Sequence, residues 1–378
     1  MRPLPLLLCL TLLLPAAGLE QEPQAPPPEL RGVWLTDVDS KVLFSRKRIA
    51  EAMTFLAAHH FNVVFPVVWN QGYTLYPSAI MDSLFGIPID PAHRGRDPLA
   101  ELIEEAHRHG LKVIPWFEYG FSSSHRAQGG HLLAAKPHWA ARDRAGKLLT
   151  KNGFEWMNPY HPEVQEFLAG LVLEVAARYD VDGIQGDDRL PAQPSEGGYE
   201  SYTDSLYRSR HEDAAPPADH RDPEWLRWRA DLLNAFACRL YRQVKAVDST
   251  LIVSWSPSIY PFSYEEYLQD WPAWIKGGYA DLVLPQVYRY DLEAYRSALL
   301  ETRAVAPPEA GGRIYPGILI KLDKYLIDPD YLLEAIRLNR ELGYRGEVFF
   351  FYEGLRKQGG KLARLLLEGP YREPARPF

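Results

Sequence analysis

The chain has 378 residues, 46% hydrophobic and 24% charged, enough for a sizeable core and ordinary for a globular protein. Its formal net charge of −7 gives a nucleic-acid partner no electrostatic support. Of its two cysteines, Cys9 lies in an N-terminal apolar run, so no intrachain disulfide is expected once that run is removed.

The chain opens with MRPLPLLLCLTLLLPAAGLEQEP: one Arg, a short apolar run, then small residues. This predicts a secretory signal peptide over residues 1–18. The run is short for a membrane span, so an uncleaved anchor is the weaker reading. QEPQAPPPEL then reads as part of a proline-rich linker over 19–29. Later segments offer no apolar stretch able to span a membrane. A secreted or periplasmic protein is expected, with no stable membrane insertion after cleavage.

From residue 30 a short apolar run followed by a helical stretch recurs eight times. The runs are LRGVWLT (30–36), NVVFPVVW (62–69), KVIPWFEY (112–119), VDGIQGDD (181–188), LIVSWSPS (251–258), ADLVLPQVY (280–288), IYPGILIK (314–321) and GEVFFFYE (346–353). They are β-branched and aromatic, and nearly free of charge until their C-terminal ends, as strands covered on both faces are. Between them, stretches such as RIAEAMTFLAAHH, PLAELIEEAHRHG and PEVQEFLAGLVLEVAARY carry apolar residues at spacings of three and four. Asp97-Pro98 should open the second helix and Gly110 close it, and Asp330 is expected to cap the helix after strand seven. Such alternation predicts an α/β fold, a (β/α)8 TIM barrel forming a single domain over 30–368, with a tail at 369–378. An open doubly wound sheet is the rival, and no Gly-x-Gly-x-x-Gly turn follows the first strand to support it.

In such barrels chemistry collects at the C-terminal strand ends. Read in order, those ends hold Trp34 and Asp37; Trp69, Asn70 and Gln71; Glu118 and Tyr119; Asp187, Asp188 and Arg189; Trp255; Gln286 and Tyr288; Lys321 and Asp323; Tyr352 and Glu353. Cysteine is missing from this rim, as is a histidine cluster with metal-ligand spacing, so neither a metal nor another cofactor is expected. Long loops are expected at 120–160 and 191–223, carrying Trp139, Trp156, Tyr160, Tyr199, Tyr202 and Tyr207, to wall a cleft. Carboxylates with aromatics suit glycoside hydrolysis: one carboxylic acid protonates the leaving oxygen, and another attacks the anomeric carbon or activates water. The expected partner is a polysaccharide substrate, and no protein partner is inferred.

LRGVWLTDVDS, FNVVFPVVWNQGYTLYPS, DGIQGDD, LPQVY and FFFYEGL together resemble the bacterial glycosyl hydrolase-like 10 family over about residues 30–368. The resemblance implies a TIM barrel, export to the cell envelope and glycosidase activity, with some relatives acting on peptidoglycan glycan strands. It puts weight on Asp187 and Asp188. DGIQGDD also resembles, more distantly, the strand of α-amylase-type barrels that ends in the nucleophilic Asp, which implies Asp187. Those enzymes carry their acid Glu at the end of strand five, where this chain reads LIVSWSPSIY with no carboxylate.

The acid must then come from elsewhere, with Glu118 the first choice and Glu353 the second. Strand alternation puts Gln185 and Asp187 on one face and Asp188 on the other. Asp187 is expected as nucleophile or charge stabiliser, with Asp188 raising its pKa. Trp34, Trp69, Asn70, Tyr119, Trp255, Gln286, Tyr288, Lys321 and Tyr352 are expected to line sugar subsites. Competing structural roles are ion pairing of the aspartates with Arg189 or Arg31, and Trp34, Trp69 and Trp255 as barrel plugs. His211, Asp213, His220 and Asp222 could at most hold a structural cation. A non-catalytic glycan-binding barrel is the alternative function. A metal-dependent deacetylase or phosphoesterase would need His and Asp gathered at the strand ends.

Overall fold

The computed structural model describes residues 28–376. The expected signal peptide, and all but the last two residues of the expected linker, lie outside the described residues. Eight parallel strands follow in chain order, numbered one to eight below: Leu30–Leu35, Val63–Pro66, a third in two pieces (Lys112–Val113 and Trp116–Phe117), Gly183–Gly186, Ile252–Trp255, Leu282–Val283, Gly317–Leu319 and Gly346–Phe350. One sheet runs seven, eight, one, two and the first piece of three; the other runs six, five, four and the second piece of three. Leu30 stands opposite Gly346, Gly32 opposite Val63, and Gln185 opposite both Ser254 and Trp116. Isolated parallel bridges pair Val67 with Trp116, Val283 with Ile314 and Gln286 with Gly317.

The strands are shorter than the apolar runs, and proline is a recurring reason. Strand two stops at Pro66, strand three breaks around Pro115, strand six ends before Pro285 and strand seven begins after Pro316. A residue without an N–H cannot donate to a ladder. Its carbonyl still accepts: Gln185 N–H donates to Pro115 O and Gly317 N–H to Pro285 O, each at 2.8 Å.

The long covering helices include Arg46–Ala58, Pro98–Arg108, Pro162–Arg178, Pro223–Val247, Leu292–Val305 and Pro329–Glu341. Asp97 caps the second of these through Ala100 N–H at 3.0 Å, ahead of Pro98. Asp330 is not the cap expected after strand seven. Asp328 fills that place, accepting from Asp330 and Tyr331 N–H, because Pro329 takes the first helical position and moves the cap one residue before it.

Inside, Trp34 donates its indole N–H to Gln185 Oε1 at 2.7 Å, and Gln185 Nε2 donates to Ser254 Oγ at 2.9 Å. The Trp34 ring lies against Phe65, Trp116 and Phe350. Strand four therefore turns Gln185 toward strand one, as alternation required for Asp187 to face the same way. At the opposite, N-terminal ends of the strands, buried Glu347 accepts from Tyr371 Oη at 2.6 Å and pairs with Arg340 at 2.7 Å. Tyr371 has no exposed surface, so the packed unit continues beyond the expected end at residue 368. Arg31 stacks over the Tyr371 ring at 4.3 Å and donates to Glu373 O, so the aspartates pair with Arg189 and not with Arg31.

Two long excursions rise from the other end. The first carries the antiparallel strands Ser122–His125, Thr150–Lys151 and Phe154–Trp156. The second, residues 191–222, carries the helix Ser201–Arg208. It is tied down by Arg229, a fully buried arginine that donates to the carbonyls of Ser195 and Gly197 at 2.6 Å, His220 at 2.7 Å and Trp225 at 3.2 Å. Arg229→Met would leave several of these carbonyls buried and unpaired. The expected loss is on the order of 3 kcal/mol in urea unfolding, with faster proteolysis within 191–222. An unchanged midpoint would show that other contacts hold the excursion.

Candidate active site

The ends of strands three and four meet because glycine lets them. Gly120 has φ +48°, and a Cβ there would stand 2.1 Å from the Arg189 carbonyl. Phe121 N–H donates to that same carbonyl at 2.9 Å, which brings Arg189 beside Glu118.

Arg189 is the hub of the acids. Its Nη2 lies 2.9 Å from Asp187 Oδ2 and 3.5 Å from Glu118 Oε1, and its Nη1 lies 3.0 Å from Asp188 Oδ1. Its Nε donates to the Glu118 carbonyl at 2.9 Å. Phe154 from the first excursion covers the guanidinium at 4.4 Å. Gln286 Nε2 donates to Asp187 Oδ1 at 2.9 Å, so both Asp187 oxygens have a donor. The Asp187 side chain is 1% exposed, those of Glu118 and Asp188 15% and 24%. A second link runs through Asn70, whose Nδ2 donates to Asp37 Oδ1 at 2.7 Å and to Glu118 Oε2 at 2.8 Å.

Burial dominates the titration. It pushes Glu118 up to about 8, aided by the charges of Asp37 and Asp188 and opposed by Arg189. It pushes Asp37 up to about 6, opposed by its own backbone N–H and by Asn70. Burial, then the charge of Asp188, drives Asp187 upward against Arg189, and the adjacent aspartates titrate as a unit. Tyr288 is raised as well, first by burial and then by Asp187, Asp188 and Glu118.

A cleft of about 330 Å³ opens over this group. Glu118 and Tyr119 belong to its floor, and Phe154, Leu322, Phe350 and Phe351 form an apolar wall. Of the expected site residues, the structure brings Glu118, Asp187, Asp188, Asn70, Tyr119, Gln286 and Tyr288 together around the acids.

Others are elsewhere. Trp34 is buried against Gln185, Phe65, Trp116 and Phe350. Trp69 and Trp255 are fully buried and face outward: Trp69 donates to Gly120 O and packs edge-on to Phe167, and Trp255 donates to Tyr279 O and packs on Trp274. None of the three offers a face to a sugar. Lys321 is buried, lies over Phe351 and donates to Asp323 O. Tyr352 and Glu353 leave the rim because strand eight ends at Phe350 and the helix Tyr352–Glu368 begins there. Glu353 accepts from Ser40 Oγ at 2.9 Å in a separate polar pocket with Lys41, Arg48 and Arg356, so it does not join Asp187. Trp139, Trp156 and Tyr160, expected to wall the cleft, are buried inside the first excursion and beneath it.

The 208–222 run gathers no cation set: His211 stacks on Tyr207, and Asp222 caps the helix Pro223–Val247. One group among the described residues, His138, His161 and Glu163, brings a donor atom each within 4.8 Å of the others, off the rim. Glu163 Oε2 there already accepts from His138 and Trp139.

An α/β scaffold of parallel strands is shared with solved glycoside hydrolases. The glycoside hydrolase domain of PgaB (BpsB) from Bordetella bronchiseptica superposes with a TM-score of 0.68 at 14% identity, covering 90% of this chain and 99% of that one. The catalytic domain of a β-amylase from Paenibacillus polymyxa gives 0.62 at 12% identity, covering 88% and 94%. The chain belongs to the Glycosyl hydrolase-like 10 family, whose profile matches residues 29–327. It is 25% identical to the glycosyl hydrolase DigH of Escherichia coli K12, over 85% of this chain and 79% of that one. It is also 25% identical to the glycosyl hydrolase YngK of Bacillus subtilis 168, over 92% and 72%.

The Glu118 environment sets a pH-dependent stability. A carboxyl raised on folding from its ordinary 4.5 to about 8 favours its protonated form. Its contribution is complete below 4.5 and is lost as pH rises through about 8. Glu118→Gln, neutral throughout, should therefore outlast the wild type in thermal melts by a margin that grows from about pH 5 to about pH 8. On the order of 3 kcal/mol is expected at the top. A margin that shrinks over this range would show Glu118 held charged.

Proposed function

We propose that the two sheets close into one (β/α)8 barrel, and that the chain is an exported glycoside hydrolase cutting an envelope or extracellular polysaccharide, peptidoglycan glycan strands first among candidates. The observation that carries this reading is the pairing of two unlike acids on one guanidinium nitrogen. Glu118 opens on the cleft and is held protonated near neutral pH, while Asp187 has donors on both oxygens. Glu118 then protonates the leaving oxygen, and Asp187 meets the charge developing at the anomeric carbon.

The oxygens sharing Arg189 Nη2 lie no farther apart than 2.9 and 3.5 Å laid end to end. Asp187 then acts as nucleophile or charge stabiliser, with the charge of Asp188 raising its pKa. Phe154, Phe350 and Phe351 would take the apolar faces of the sugar rings. DigH and YngK are named glycosyl hydrolases, which supports the same activity class.

The burial of Asp187 favours a second reading, a non-catalytic glycan-binding barrel, since the side chain presents almost no surface to a ligand. One experiment separates the two. Release of reducing ends from glycan strands and chito-oligosaccharides should fall about 10²- to 10⁴-fold in Glu118→Gln and in Asp187→Asn, with glycan pull-down retained. Wild-type turnover in either folded variant would remove that residue from the chemistry. Binding without turnover in the wild type would establish the second reading.

A further inference from the structure

We infer that Asp37 and Asn70 form a positioning arm that fixes the transferable proton of Glu118 on Oε1, the oxygen beside Arg189; this rests on Glu118 being the acid. Asn70 holds both neighbours through the two hydrogens of one amide. Asn70 is 1% exposed, and both Nδ2 hydrogens are engaged, one by Asp37 Oδ1 at 2.7 Å and one by Glu118 Oε2 at 2.8 Å. An amide nitrogen only donates. Glu118 Oε2 must therefore accept, and a neutral Glu118 carries its proton on Oε1. That oxygen lies 3.5 Å from Arg189 Nη2, the nitrogen that also contacts Asp187. The acid proton is thus aimed at the side where the second carboxylate stands.

What keeps the amide in this orientation is Asp37. Asn70 Oδ1 is buried and has no hydrogen-bond partner, so nothing on that side holds it. Turned over, it would press Oδ1 against the Asp37 carboxylate and against Glu118 Oε2, and Asp37 forbids this while ionised. The charge of Asp37 also helps keep Glu118 protonated.

Other charged and titratable groups face the arm. Arg189, Asp187 and Asp188 come from the end of strand four, Tyr288 lies beyond strand six, and His125 stands across the cleft. Lys41 and Asp90 act on Asp37. In the transfer, the Oε1–H bond breaks as an O–H bond to the glycosidic oxygen forms. The electron pair of the cleaved C–O bond moves onto that oxygen, and the carboxylate left behind retains Asn70 on Oε2 and Arg189 beside Oε1.

The first test needs no turnover. Infrared titration of the full chain carrying ¹³C-labelled glutamate reads the Glu118 carboxyl directly, assigned by its loss in Glu118→Gln. Asp37→Asn should lower its midpoint by about one pH unit, and Asp37→Glu should restore it. An unmoved midpoint overturns the inference. The second test uses two probes, chito-oligosaccharide and 2,4-dinitrophenyl chitobioside, whose leaving group needs little proton assistance. Asn70→Leu should slow the first about 100-fold and the second less than about threefold. Equal loss on both would mark a merely structural role and overturn the inference. Wild-type turnover of both probes by Glu118→Gln would instead remove the acid reading beneath it.

Discussion

The site depends on one guanidinium. Arg189 faces three carboxylates and a carbonyl drawn from two strand ends. Without it those acids would be like charges crowded into a partly buried space, and each unpaired one would cost several kcal/mol. A planar fork with five donors can serve these directions at once, which an ammonium on a flexible stem could not. The arginine is itself placed by Gly120, where any side chain would strike its carbonyl, and covered by Phe154 from the first excursion. The excursion therefore shapes the cleft and also shields the charge that holds the acids together.

The eight strands were legible because their apolar runs are long against the noise of periodicity, and the acids because a charge at the end of such a run is locally anomalous. Strand lengths were harder to read: each proline removes a donor, but only the register shows which ladder position loses one. The tryptophans were not legible. An indole at a strand end is apolar whichever way it points, and Trp69 and Trp255 point outward to Phe167 and Trp274, residues distant in sequence. Tyr352 and Glu353 were misplaced because FFFYEGL carries no signal for a helix starting at its fourth residue. The link from Asp37 through Asn70 to Glu118 spans separations of 33 and 48 residues, which no local pattern encodes.

The two excursions show why aromatic richness misled. Their rings build small cores. Trp225 stacks on Trp228, Tyr207 on His211, and Arg229 lies over Trp225 while holding four carbonyls. A long segment over the strand ends must satisfy its own backbone groups before it can present a surface. Here much of the aromatic content serves that need, and the cleft is left to Phe350 and Phe351 at the end of strand eight and Phe154 from the first excursion.

The packing around Tyr371 sets the orientation of the molecule. Glu29 N–H donates to Arg376 O, and Arg31 holds Glu373 O and stacks on Tyr371, all beside Glu347 at the start of strand eight. Both ends of the described chain therefore emerge side by side, on the face opposite the cleft. Any attachment at either end, whether an anchoring segment, a fused domain or a surface linker, pulls from behind. The mouth of the cleft then points away from the attachment.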